Sequence, residues 1–312
     1  MGLCIIILSI YFNSEVAMFG VYFGKYLTDI GVLTPDTYSE IIEKCRNNRI
    51  EVGVLAVNEG MLIDAQANEV NFLQTMHDMK FGDIALSMNY LTEEQLEELL
   101  KKQGNGYLQF VQLLTDEGIL TLDEIQEHLN NFRKNEKLTI AELDALKRAD
   151  VDMVVSAYIK SANVSDLVKE YLCLLGRNLI RFVDNRVRFE ACNITDSYTA
   201  KCMILQEMTG DTRILAGIAD TGITVVAEEY CEEDFYEIDE DCLDAAGEFL
   251  NVTNGEFLTK LSSNGTHMDL KLHGMYNTYT TIEAKDILIL PCYLFGERMD
   301  IIVCEGGRWE IN

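Results

Sequence analysis

Asp244, Glu248 and Asn251, followed by Gly255, lie in a stretch whose apolar residues recur at helical spacing. With each residue turning ~100°, Glu248, Asn251 and Gly255 fall at ~40°, ~340° and ~20° from Asp244, whereas Leu243, Ala246, Leu250, Thr253, Phe257 and Leu261 fall within ~180–260°. The polar stripe therefore faces away from the side that must bury, and Glu248 and Asn251, one turn apart, project together. Gly255 costs ~1 kcal/mol of helix propensity against Ala and leaves bare helix surface that another molecule can approach closely. Residue chemistry alone leaves two readings open: a solvated helix face, or a surface where a carboxylate and a carboxamide act together on something bound.

The helix that carries this stripe is predicted over 240–261, closed by Ser262, Ser263, Asn264 and Gly265. An earlier long helix runs from Ser165 as N-cap to Phe182, with Leu167, Tyr171, Leu174, Leu175 and Leu179 on one face. It carries a parallel phrase, Asp166, Glu170 and Cys173, in which a thiol that accepts hydrogen bonds poorly stands at the amide position. We read it as a degenerate second motif left by duplication. Strands are predicted at Val187–Cys192, Thr199–Met208, Arg213–Ile218, Ile223–Glu229, Met268–Leu272, Asp286–Phe295 and Met299–Cys304. The order helix, strands, helix, strands gives an α+β domain with two long helices on an antiparallel sheet.

Ahead of it the sequence repeats with a period of 29 residues. Gly31, Gly60, Asn89 and Gly118 share one column, and Leu33, Leu62, Leu91 and Leu120 share another. Each unit reads as a short helix stopped by the glycine column and a second helix started by Thr34, Asp64, Thr92 or Thr121. The chain of 312 residues thus divides into an all-α four-fold repeat domain (18–137), a helical linker (138–159) and the α+β domain (160–312). Residues 1–17 read as an upstream extension ahead of Met18. They lack a basic start and a cleavage site, and are too short to span a bilayer.

Fifty-two acids against 25 bases give a net charge of −27, which repels nucleic acid and anionic membrane surfaces. Nine cysteines without Cys-x-x-Cys spacing read as reduced thiols of a cytoplasmic protein. His77, His128, His267 and His273 have no nucleophile or ligand partner nearby in sequence, so neither a triad nor a metal site is expected. Nine acids crowd into residues 228–241, just ahead of the motif helix, and would favour a partner with a basic rim.

Residues 160–304 resemble the CheC, CheX and FliY phosphatases of bacterial chemotaxis, whose motif is Asp or Ser, three residues, Glu, two residues, Asn on a long helix. The resemblance implies hydrolysis of the aspartyl phosphate on a CheY-type response regulator in two-component signalling. Glu248 and Asn251 would be the catalytic pair: the amide oxygen orients the attacking water, and the carboxylate pairs with the regulator's lysine. Asp244 and Gly255 would meet the partner. The protein would need no cofactor of its own, because Mg²⁺ sits on the regulator. Such phosphatases include monomers and dimers, so homodimerisation stays open. Units 22–45, 51–74, 80–103 and 109–132 resemble the tandem motif of the N-terminal domain of type II secretion and pilus ATPases. Their leading Arg is replaced by Tyr22, Glu51, Lys80 and Gln109, while Gln74 and Gln103 keep the closing position. The alternative is a non-catalytic signalling adaptor that reads cyclic di-GMP through residues 22–132.

Overall fold

The computed structural model describes residues 14–47, 52–74, 79–103 and 106–312. The expected extension 1–17 lies outside these as far as residue 13; from Ser14 the chain is helical and continues unbroken through Met18. The chain divides into two units that meet in sequence at Ala149 and Asp150.

Every element described in the first unit is a helix: α1 (Ser14–Asp29), α2 (Pro35–Asn47), α3 (Val52–Asn58), α4 (Asp64–Gln74), α5 (Phe81–Ser87), α6 (Glu93–Gln103), α7 (Gly106–Asp116), α8 (Leu122–Asn135) and α9 (Ile140–Lys147). The 29-residue period has a hydrogen-bonded cause. Gly31, Gly60, Asn89 and Gly118 all take positive φ, at 77°, 69°, 56° and 66°. In each copy the next N–H reaches back to the same column: Val32 to Leu27 O, Met61 to Ala56 O, Tyr90 to Ala85 O and Ile119 to Leu114 O, at 2.8–3.0 Å. This is the Schellman closure, which satisfies the carbonyls at a helix end and needs a left-handed residue at one position. The four acceptor residues are fully buried.

The second helix of each copy begins at a cap in register: Thr34, Ile63, Thr92 and Thr121. Asp64, expected as the second cap, instead opens α4 from inside its first turn. Ile63 holds the cap position, and its N–H donates to Gln66 Oε1 at 3.0 Å, so only the reciprocal half of a capping box survives there. Thr92 with Gln95, and Thr121 with Glu124, form both halves. Copies two and three share a core built on Leu55, Val70, Phe81, Ile84 and Leu99. Copies one and four share an aromatic one, in which Phe23 packs against Phe110 and Phe132.

The helical linker expected over 138–159 consists of two helices. α9 stops at Lys147, Ala149 turns left-handed at φ 51°, and Asp150 caps α10 (Val151–Ile159) by accepting from Met153 N at 3.2 Å. A side-chain cap at Asp150 offers the backbone an alternative to helical continuation. Thr139 and Glu142 form a capping box that starts α9.

The second unit continues with α11 (Asp166–Phe182), β1 (Arg188–Phe189), β2 (Asn193–Ala200), β3 (Met203–Gly210), β4 (Arg213–Ala219), α12 (Gly222–Cys231), α13 (Glu240–Ser263), β5 (Met268–Leu270), β6 (Gly274–Tyr276), β7 (Thr280–Leu294), β8 (Glu297–Glu305) and β9 (Trp309–Ile311). All strand pairs are antiparallel, in the order β1-β7-β8-β4-β3-β5, with β2 and β9 on β7 and β6 on β3. The α+β expectation holds, with two long helices and this sheet. The sheet bends where Asp286 takes φ 57° and its N–H donates to Asp196 Oδ1, beside a register shift in β2. On one face Met203, Leu205, Leu215, Ile289 and Ile302 are buried in a core that Tyr198, Tyr276 and Trp309 flank.

Two strand expectations are corrected. Thr199–Met208 is two strands, because the chain leaves β2 at Ala200 and enters β3 at Met203. Ile223–Glu229 is helical, as α12. Its β-branched residues suggested a strand, but Ile223, Val226, Ala227 and Tyr230 also recur at helical spacing; the first three are buried, and the Tyr230 ring packs edge-on against Phe249 at 5.6 Å. Burial of this face outweighs the few tenths of a kcal/mol per residue that β-branching costs a helix.

The left-handed column yields a stability expectation. Asn89→Val should destabilise the helical unit by about 1–2 kcal/mol, whereas Asn89→Gly should change it by a few tenths. Urea unfolding of the full chain, followed by circular dichroism, measures both; equal effects would contradict the cap.

Candidate functional site

α13 is started by Asp239, whose Oδ1 accepts from Cys242 N at 3.0 Å, and its first turn carries Glu240 and Asp241, favourable at a helix N-terminus. Leu243, Ala246, Leu250, Thr253, Phe257 and Leu261 are all buried, as their spacing requires. The polar stripe lies on the other side. Asp244 and Glu248 are exposed, and Asn251 and Gly255 are half-buried. A Cβ at Gly255 would meet no atom within 4 Å, so the helix surface there is open.

Asn251 is held from beneath. Its Oδ1 accepts from Gln206 Nε2 at 2.9 Å; the same Nε2 donates to the Lys271 carbonyl at 2.9 Å, and Gln206 Oε1 accepts from Asn254 Nδ2 at 2.8 Å. Gln206 and Asn254 are buried, so these bonds form away from water and are worth more for it. Sequence reasoning did not single out Gln206. The signal was present, since in β3 it shares a face with Ile204 and Met208, where a polar residue must be paired if the face is covered.

His273, which has no nucleophile or ligand partner nearby in sequence, lies against α13. A Cβ at Gly247 would stand 2.6 Å from its Nε2, so only glycine lets the ring lie on the helix backbone. That nitrogen is 3.8 Å from Asp244 Oδ1. The end of α12 completes the surroundings. The Cys231 thiol there is raised above its ordinary pKa by burial and then by the charges of Glu233, Glu248 and Asp244.

The parallel phrase on α11 is built differently. Asp166 is exposed, but Glu170 pairs with Lys260 of α13 at 2.9 Å. Cys173 is buried, and its thiol donates to the Asp152 carbonyl at 3.7 Å. Burial pushes that thiol up to about 11. These residues line a cleft of about 420 Å³ with Lys169 and Arg177, the latter paired with Asp152. Here Glu170 is engaged in an ion pair, and no amide stands at the position of Asn251.

In the first unit, Tyr22 is buried, Lys80 is exposed at the cap of α5, and Gln109 is half-buried; Glu51 lies outside the described residues. Gln74 is buried and donates to the Met79 carbonyl at 3.2 Å. Among the described residues no cluster of His, Cys, Asp and Glu could hold a metal, and no helix is long and apolar enough to cross a membrane.

No family model matches the chain, and no curated protein matches it. Several solved structures are similar to it. A chemotaxis protein CheX from Desulfovibrio desulfuricans is 15% identical over 45% of this chain and 99% of its own, with a TM-score of 0.39. CheX from Vibrio vulnificus is 17% identical over 45% and 99%, at 0.37. A CheX–CheY–BeF3–Mg²⁺ complex from Borrelia burgdorferi is 15% identical over 46% and 99%, also at 0.37.

Cys231 is the exposed thiol among the described cysteines, and Glu248 is one of the carboxylates that, after partial burial and Glu233, raise its pKa. Because nearby carboxylates disfavour the thiolate, Glu248→Gln should lower its pKa and speed its alkylation by iodoacetamide at pH 8. Peptide mapping by mass spectrometry measures the rate; an unchanged or slower rate would separate the two side chains.

Proposed function

We propose that the second unit is a CheX-like phosphatase, which removes the phosphoryl group from the aspartyl phosphate of a CheY-type response regulator. The observation that carries the reading is that Glu248 stands exposed on α13 one turn from Asn251, whose carboxamide is anchored from the core side. The match of Asp244, Glu248 and Asn251 to the phosphatase motif supports it.

An acyl phosphate is already activated, so a catalyst need only place water in line with the scissile bond. The carbonyl oxygen of Asn251 does this without bringing negative charge to the phosphoryl oxygens: one lone pair accepts from Gln206, and the other accepts from the attacking water. A carboxylate at that position would repel them. Glu248 pairs with the regulator's active-site lysine and sets the docking register. Charge neutralisation at the phosphoryl group would be supplied by Mg²⁺ held on the regulator, not by residues of this chain. Asp244, Glu248 and the exposed acids from Glu232 to Asp241 disfavour a free phosphate compound and select a partner with a basic rim.

The two residues should separate in steady-state kinetics with the phosphorylated cognate regulator. Asn251→Ala should lower kcat by about 100-fold or more, whereas Glu248→Gln should act mainly by raising KM. Added salt should lower kcat/KM more than kcat, since it screens docking. No acceleration by the wild-type protein, or an undiminished Asn251→Ala variant, would overturn the reading.

A further inference from the structure

We infer that Gln206 is a positioning residue for the reaction: it locks the Asn251 carboxamide with its oxygen fixed before any partner docks. This rests on the phosphatase reading above. The orientation follows from a chain of forced choices. The Lys271 carbonyl can only accept, and its place is set because Lys271 N donates to Glu207 O at 2.9 Å, extending the pairing of β5 with β3. The end of Gln206 that faces it must therefore be the amino end, and that nitrogen has two hydrogens. One goes to Lys271 and the other to Asn251. Asn251 must answer with its oxygen, because its amino group there would meet another amino group. Asn254 closes the arrangement by donating to Gln206 Oε1, which keeps the Gln206 carboxamide from turning over.

A free asparagine on a helix surface turns about its last bond and presents nitrogen or oxygen almost equally well in shape. Only the oxygen can accept from water. A lock on that torsion sets the fraction of molecules ready to orient the nucleophile, and so acts on turnover rather than docking. Gln206 has the geometry for this because it is buried: at 1% exposure it exchanges few bonds with solvent.

The test uses the full chain with a CheY-type receiver domain phosphorylated by acetyl phosphate, and the same receiver bound to beryllofluoride and Mg²⁺ as the docking probe. Gln206→Leu should lower kcat by about tenfold or more while KM and the affinity for the beryllofluoride complex stay within about twofold. Gln206→Glu keeps the shape but can only accept as a carboxylate, so it should turn Asn251 over and lose turnover alike. Nuclear magnetic resonance of the Asn251 side-chain amide, assigned by its loss in Asn251→Ala, gives a readout independent of activity. Its ¹⁵N relaxation should match the backbone of α13 in the wild type and become that of a mobile side chain in Gln206→Leu. Retained kcat in both variants, a parallel loss of docking affinity, or an Asn251 amide equally ordered without Gln206 would overturn the inference. If the wild type itself does not accelerate dephosphorylation, the phosphatase reading fails, and the relaxation measurement alone decides the lock.

Discussion

A single buried carboxamide reconciles two demands on α13. The helix must bury Leu243, Ala246, Leu250 and Phe257, and it must also hold a polar face in fixed orientation. An apolar interface alone would set the position of the helix and leave its surface side chains to rotate. Gln206 is the polar member of the β3 face that also carries Ile204 and Met208, and its hydrogen bonds to Asn251, Asn254 and the Lys271 carbonyl satisfy both ends of its amide. A buried polar group whose bonds are incomplete is costly, and Gln206 avoids that cost at both ends of its amide, whereas the buried Asn254 oxygen is left without a partner among the described residues.

The two long helices of the second unit differ in this respect. On α13 an exposed acid stands beside an anchored amide. On α11 the matching acid, Glu170, is neutralised by Lys260, and the matching position is a buried thiol bonded to a backbone carbonyl. Cys173 gains burial and loses the strong acceptor.

Much of this was legible in the sequence, for identifiable reasons. The stripe of Asp244, Glu248 and Asn251 could be placed because a long helix with a one-sided apolar face fixes the direction of every residue on it. The 29-residue period could be found because a Schellman closure demands one left-handed residue at one place, and Gly31, Gly60, Asn89 and Gly118 supply it. α12 was misread because Ile223, Val225 and Val226 suit a strand locally, and only their tertiary burial makes them helical. The cap at Ile63 was missed because no side-chain oxygen marks it. Gln206 showed itself only as a polar residue on an otherwise apolar strand face, and His273 not at all: each meets α13 from a separate strand or connection, and sequence spacing carries no record of which face meets which.

The account comes down to water attacking phosphorus, placed by Asn251. Dephosphorylation of a phosphorylated receiver in ¹⁸O-water, analysed by mass spectrometry of both products, tests this directly. In-line attack at phosphorus puts the label in inorganic phosphate at the accelerated rate. Label in the receiver's aspartate, which marks attack at the carbonyl carbon, would contradict it.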